Sequence, residues 1–178
     1  MADRKGLIIV HTGTGKGKTT AALGLGMRAW GQGLKVLVLQ FIKGNWKYGE
    51  LQAAERMGPD FVIRQMGEGF VRNCKDDAAL AEHCSAAEET LREARREILA
   101  EQWDMIILDE INYAVKFGLV PLDKVLELLA MKPRPLHLVL TGREASQAVI
   151  DKADLVTEMR EVKHPYKQGI SAQVGIEF

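Results

Sequence analysis

The stretch "HTGTGKGKTT", His11 to Thr20, follows the apolar run "GLIIV" and precedes the helix-forming "AALGLGMRAW". No other feature narrows the fold as far. A glycine-rich turn between a buried strand and a helix, ending in Lys-Thr, gathers backbone N–H groups and a helix N-terminus around phosphate oxygens. Lysine then adds charge and threonine a metal-ligating hydroxyl. Gly13, Gly15, Gly17, Lys18 and Thr19 supply those parts. The loop departs from G-x-x-x-x-G-K-[ST], because Thr12 stands where that pattern places its first glycine. A flexible turn with incidental lysines would need neither the strand before it nor Lys18-Thr19 in register, so phosphate binding is the reading these residues favour.

Apolar, β-branched runs recur along the chain at Gly6–His11, Lys35–Ile42, Asp60–Met66, Asp104–Glu110, Leu136–Gly142 and Asp154–Met159. Continuous apolar strands imply burial on both faces, hence a parallel sheet. Helical patterns lie between them. From Asp77 to Glu101, Leu80, Cys84, Ala87, Leu91, Ala94 and Ile98 recur at spacings of three and four, which makes one apolar stripe. The charged run "EETLREARRE" on that helix reads as a solvated face with i,i+4 pairs. Val120–Pro133 is a second helix, with Pro121 in its first turn and Pro133 and Pro135 ending it, and Glu144–Ala153 is a shorter third. Strand and helix alternate without repeats or a linker, as in one doubly wound α/β domain.

The chain has 178 residues, enough for a self-sufficient core. Its 24 basic and 24 acidic side chains cancel, so nucleic acid and anionic membrane are poor partners. Cys74 and Cys84 form no Cys-x-x-Cys pair, which argues against a zinc site or disulfide framework and fits a reducing cytoplasm. The N-terminal apolar run is too brief for a signal peptide or a membrane span.

Two more strand ends join the loop. "MIILDE" places Asp109 and Glu110 at the carboxyl end of a buried strand, where carboxylates face the phosphate loop and reach magnesium or its water. Asp109 alternatively caps the helix "INYAVKF". "LVLTGREA" puts Arg143 at the same edge, either to grip phosphate or to pair with Glu144 or Glu110. Together these ends describe a site for a magnesium-bound nucleoside triphosphate.

"TGTGKGKTTAALGLGMRAWGQGLKVLVLQFIKG", followed by "GE", "ILDE", "TGR", "ADLVTEM" and "KHPYKQGISAQVGIEF", closely resembles the ATP:corrinoid adenosyltransferases of the CobA, CobO and BtuR type over nearly the whole chain. "QFIKG" and the C-terminal motif are more specific than the loop. The resemblance implies a single P-loop, RecA-like domain over residues 1–178, α/β with a mostly parallel central sheet flanked by helices. It implies transfer of the 5′-deoxyadenosyl group of ATP to the Co(I) of a reduced corrinoid such as cobalamin, with release of tripolyphosphate. In this family ATP is understood to bind reversed, the loop holding its γ end. By matching positions, Thr19 and Glu110 are the Mg²⁺ ligands. The nucleotide contacts are Thr12, Gly13, Thr14, Gly15, Lys16, Gly17, Lys18, Thr19, Thr20 and Arg143, and the catalytic residues are Lys18, Phe70, Glu110 and Arg143.

Phe70 matches an aromatic that helps displace the lower cobalt ligand, whereas Arg72 stands where the family has a second aromatic. His164 belongs to a loop shaped by Pro165 and Gly169 that borders the site, while His11, His83 and His137 read as structural, and Trp46 lines the mouth or covers the sheet edge. The resemblance further implies a cytoplasmic homodimer served by an electron donor such as a reduced flavoprotein. A small-molecule kinase or ATPase is the rival enzyme reading, and a non-catalytic corrinoid-binding module is the rival outside enzymes.

Overall fold

Alternate residues of the central strands enter two different cores. Leu37, Leu39, Ile106, Leu108, Leu138 and Leu140 pack on one side of the sheet, and Val36, Val38, Met105, Ile107 and Val139 on the other. This is the period-2 consequence of strands that are apolar at every position. The computed structural model describes residues 5–44, 47–69 and 77–178. Trp46, Phe70, Arg72 and Cys74 lie outside the described residues.

The elements run β1 (Ile8–Thr12), α1 (Lys18–Gly31), β2 (Val36–Gln40), α2 (Gly49–Met57), β3 (Phe61–Gln65), α3 (Asp77–Ala100), β4 (Met105–Asp109), α4 (Ile111–Lys116), α5 (Leu122–Met131), β5 (His137–Thr141), α6 (Gln147–Ile150) and β6 (Leu155–Glu158). A 3₁₀ turn at Pro165–Gln168 follows. The sheet order is β3-β2-β4-β5-β1-β6, and every pairing among the described strands is parallel. Ala22 and Ala29 of α1 and Ala54 of α2 cover one face. On the other, Ala87, Ala94 and Ile98 of α3 and Val125, Leu128 and Leu129 of α5 pack against the leucine-rich core. Complete burial of Ile98 alone is worth about 2 kcal/mol.

Five of the six strands lie within the runs legible in the sequence, β1 extends one residue past its run to Thr12, and α3 ends one residue short of its expected boundary. Four expectations need correction. β6 pairs with β1, yet all four of its residues are exposed, because it is an edge strand that no helix covers. The helix expected over 144–153 shrinks to α6, since Glu144 takes a left-handed conformation (φ 55) and the helix starts only after Ser146, whose hydroxyl accepts from Val149 N at 3.3 Å. The charged flank of α3 is not wholly solvated. Glu93 and Glu97 are buried, and both accept hydrogen bonds from Arg64 of β3. Pro121 also sits just before α5 rather than in its first turn.

Candidate active site

The carboxyl ends of β4, β5 and β1 are neighbours in the sheet, so the acidic pair, Arg143 and the glycine-rich loop share one edge. They enclose a cavity of about 630 Å³ lined by Gly15, Lys16, Gly17, Lys18, Thr19 and Thr20 of the loop and α1, with Glu110, Tyr113 and Arg143. Leu23, Lys43, Gly49, Glu50, His164 and the segment Gly175, Ile176, Glu177 and Phe178 complete the wall.

The glycines of the loop answer two demands. Gly13 (φ 97) and Gly17 (φ 105) occupy the left-handed region that other residues avoid. Gly13 and Gly15 also lie against the exit of β6. A Cβ on either would come within 2.7 Å of the Met159 backbone, and Gly15 N donates to Met159 O at 2.6 Å. Thr12, the departure from the common pattern, is the buried last residue of β1. Its Oγ1 accepts from Ala145 N at 3.0 Å and so ties the loop's entrance to the connection that carries Arg143. Thr14 is exposed and does not line the cavity, whereas Thr20 is exposed and does.

Lys18 is buried, and its ammonium donates to Gly15 O at 2.6 Å. Burial lowers its pKa; Glu110 opposes that shift and Arg143 adds to it. Asp109, only 1% exposed, accepts from Thr19 Oγ1 and Thr141 Oγ1, both at 2.8 Å, and from Gln40 Nε2 at 3.2 Å. Thr141 Oγ1 in turn accepts from Glu110 N at 2.8 Å. Asp109 therefore orients Thr19 rather than capping α4. The cap position is Glu110, held at φ 63 and ψ 22, and its carboxylate makes no capping bond. Burial, then the adjacent Asp109, pushes the Glu110 pKa up to about 7 against the pull of Lys18, Lys43 and Arg143. Arg143 forms no ion pair among the described residues, and Glu144 is taken instead by Lys116.

Hard oxygen donors are what magnesium takes alongside water. The Thr19 hydroxyl, which donates its proton to Asp109 and keeps its lone pairs, and the Glu110 carboxylate at the cavity wall fit that requirement.

The family description "ATP:corrinoid adenosyltransferase BtuR/CobO/CobP" matches residues 4–178. The chain belongs to this family. It is 40% identical over 179 residues to the corrinoid adenosyltransferase of Escherichia coli K12, covering 99% of this chain and 87% of that protein. Identity to the corrinoid adenosyltransferase of a Sinorhizobium species is 42% over 178 residues, covering 99% and 82%. To corrinoid adenosyltransferase CobA of Salmonella typhimurium it is 39% over 176 residues, covering 99% and 87%. Among solved structures the chain is similar to a KaiC-like protein of Pyrococcus horikoshii, with a TM-score of 0.49 and 14% identity, covering 89% of this chain and 75% of that one.

Sequence reasoning gave no site role to several residues of this family member's cavity: Leu23, Lys43, Gly49, Glu50, Tyr113 and the C-terminal segment. Lys43 was findable, since "QFIKG" runs straight off the end of β2 at the same sheet edge. Glu177 pairs with Lys16, and its other oxygen accepts from Gln173 N at 2.8 Å. No local pattern signals a contact spanning 161 residues. The reading of His164 is sharpened: its Nδ1 accepts from Tyr166 N at 3.2 Å, starting the turn that Gly169 closes at φ 75. His137 is structural, accepting from Leu7 N at 3.2 Å.

Proposed function

We propose that this protein transfers the 5′-deoxyadenosyl group of Mg²⁺-bound ATP to the Co(I) centre of a reduced corrinoid, cob(I)alamin or cob(I)yrinic acid a,c-diamide, releasing tripolyphosphate. The observation that carries the reading is the cavity itself. A member of a corrinoid adenosyltransferase family brings a phosphate loop, a buried lysine, a carboxylate and an arginine with no ion pair among the described residues to one cavity. The cobalt lone pair attacks C5′, a Co–C bond forms, and the C5′–O bond breaks with its electrons passing to the triphosphate. For carbon rather than phosphorus to meet the nucleophile, the loop holds the γ end of ATP and the ribose points outward.

Negative charge then accumulates on the leaving polyphosphate, where preorganised donors stabilise it. That role falls to Lys16, Lys18, Thr20 and Arg143, which line the cavity, and to amides of the loop. Thr19 and Glu110 would hold Mg²⁺, which when bound neutralises charge on the phosphate oxygens. Phe70 supplies apolar bulk beneath cobalt. A cytoplasmic homodimer served by a reduced flavoprotein completes the proposal. The exposed Leu155, Val156, Val174 and Ile176 of β6 and the C-terminal segment offer apolar surface for self-association, and no described helix is long and apolar enough to cross a membrane.

Product analysis with ATP and chemically reduced cobalamin tests the reading. Tripolyphosphate and alkylated corrinoid accumulate in equal amounts if it holds, whereas ADP and orthophosphate would show a kinase or ATPase.

A further inference from the structure

Each lysine of the cavity wall has an oxygen of the protein where a phosphate oxygen would serve. Lys18 holds Gly15 O at 2.6 Å, Lys16 holds Glu177, and Lys43 holds Glu50 Oε1 at 2.6 Å. Lys43 is the one the phosphate-loop pattern does not contain. It follows β2, and its backbone surroundings are pinned: Phe41 N donates to Asp109 O at 3.0 Å and Gly69 N to Ile42 O at 2.7 Å, with Phe41 and Ile42 fully buried. Its ammonium, with 14% of the side chain exposed, lies 4.3 Å from the Tyr48 ring centroid and 3.9 Å from Asp109 Oδ2.

We propose that Lys43 is a triphosphate contact contributed from outside the glycine-rich loop, and that Glu50 is its resting partner, displaced when the polyphosphate enters. The inference rests on reading the cavity as a triphosphate site. Both ends of the Lys43–Glu50 pair line that cavity. A polyphosphate beside them attracts the ammonium and repels the carboxylate, so the pair cannot persist unchanged in the occupied site. Lys43 follows a buried strand through the fully buried Phe41 and Ile42, while Glu50, with 23% of its side chain exposed against 14% for Lys43, stands in the first turn of α2 directly after the exposed Gly49, so Glu50 is the member with room to swing away. The exchange keeps the lysine charge-paired throughout and presents it to the nucleotide on the β2 side of the acidic pair, where the loop supplies no cation.

Calorimetric titration of the full chain with inorganic tripolyphosphate and Mg²⁺, without corrinoid, tests this on the parent, Lys43→Met, Lys43→Arg, Glu50→Gln and the Lys43→Met/Glu50→Gln double variant. Lys43→Met is expected to weaken binding about tenfold, and Lys43→Arg to restore most of the loss. Glu50→Gln is expected to tighten binding about threefold, and that gain should vanish in the double variant. Parent-like affinity in Lys43→Met overturns the inference. So does weakening by Glu50→Gln, which would mark the pair as a staple for α2. If Lys43→Met fails to fold, Lys43→Arg and Glu50→Gln decide it. A parent that binds no tripolyphosphate overturns the triphosphate reading itself, and this inference with it.

Discussion

Glu110 combines a left-handed backbone with a carboxyl whose pKa is pushed up to about 7, so the free protein pays for this residue at neutral pH. The folded state binds its proton more tightly than the unfolded chain does. Its contribution to stability is therefore fully present below about pH 4.5 and is lost as pH rises through about 7. Glu110→Gln keeps the shape and the conformation but removes the charge. In metal-free buffer the variant is expected to melt a few degrees above the parent at pH 8, a gain on the order of 2 kcal/mol, with the difference nearly gone at pH 4.5. Adenosyl transfer should fall at least a hundredfold at the same time. Thermal melts at the two pH values with chelator, beside an activity assay, check both. Equal melting at pH 8 would show that Glu110 is not strained by its charge. At this scale the sequence already named Lys18, Thr19, Glu110 and Arg143, because each sits at a strand end or in the loop. It could not separate the two roles of Asp109, since the deciding hydrogen bond joins Thr19 and Asp109 across 90 residues.

At the scale of elements, α3 and β3 are joined by a partly buried ionic cluster. Arg64 donates to Glu93 and, at 2.6 Å, to Glu97, while Trp103 Nε1 donates to Glu97 Oε2 at 2.7 Å. Burial alone would raise the Glu97 pKa, but the hydrogen bonds from Arg64 and Trp103 outweigh it and hold the carboxyl below its ordinary value. This contribution is present above about pH 4.5 and is lost as acid protonates the group. Arg64→Ala leaves Glu93 and Glu97 to Arg96, at 2.6 and 3.3 Å, and Glu97 also to Trp103, and is expected to cost about 1 kcal/mol at pH 7, read as a lower urea midpoint. The triple variant Arg64→Ala/Glu93→Gln/Glu97→Gln should recover most of that loss. Helical periodicity made α3 legible almost to the residue, because its apolar stripe repeats every turn. The destination of its glutamates was not legible, for Arg64 lies 29 and 33 residues away on another strand.

Over the whole molecule, one part of the cavity wall stands apart from the packed core. No residue from 150 to 178 is buried, yet Gly175, Ile176, Glu177 and Phe178 wall the cavity. Removing residues 163–178 should therefore shift the melting temperature by only about 2 °C, since little packed surface is lost. Adenosyl transfer should nonetheless fall more than tenfold, because the cavity loses a wall. Differential scanning calorimetry and a single-turnover assay measure the two effects. A large drop in stability would mean that the C-terminal segment belongs to the folding unit rather than to the site.

The sequence by itself determined the six strands, the long helix, the phosphate loop and the family. Each of these is written in consecutive residues, as a period of two, a period near four, or a motif of fixed spacing. Only the tertiary structure decided that β5 stands between β4 and β1, that Asp109 holds Thr19, and that Lys43 and Lys16 rest on Glu50 and Glu177. Those facts depend on which strands pair and where a turn returns the chain, and strand-pairing energies come from contacts between distant segments that local periodicity does not encode.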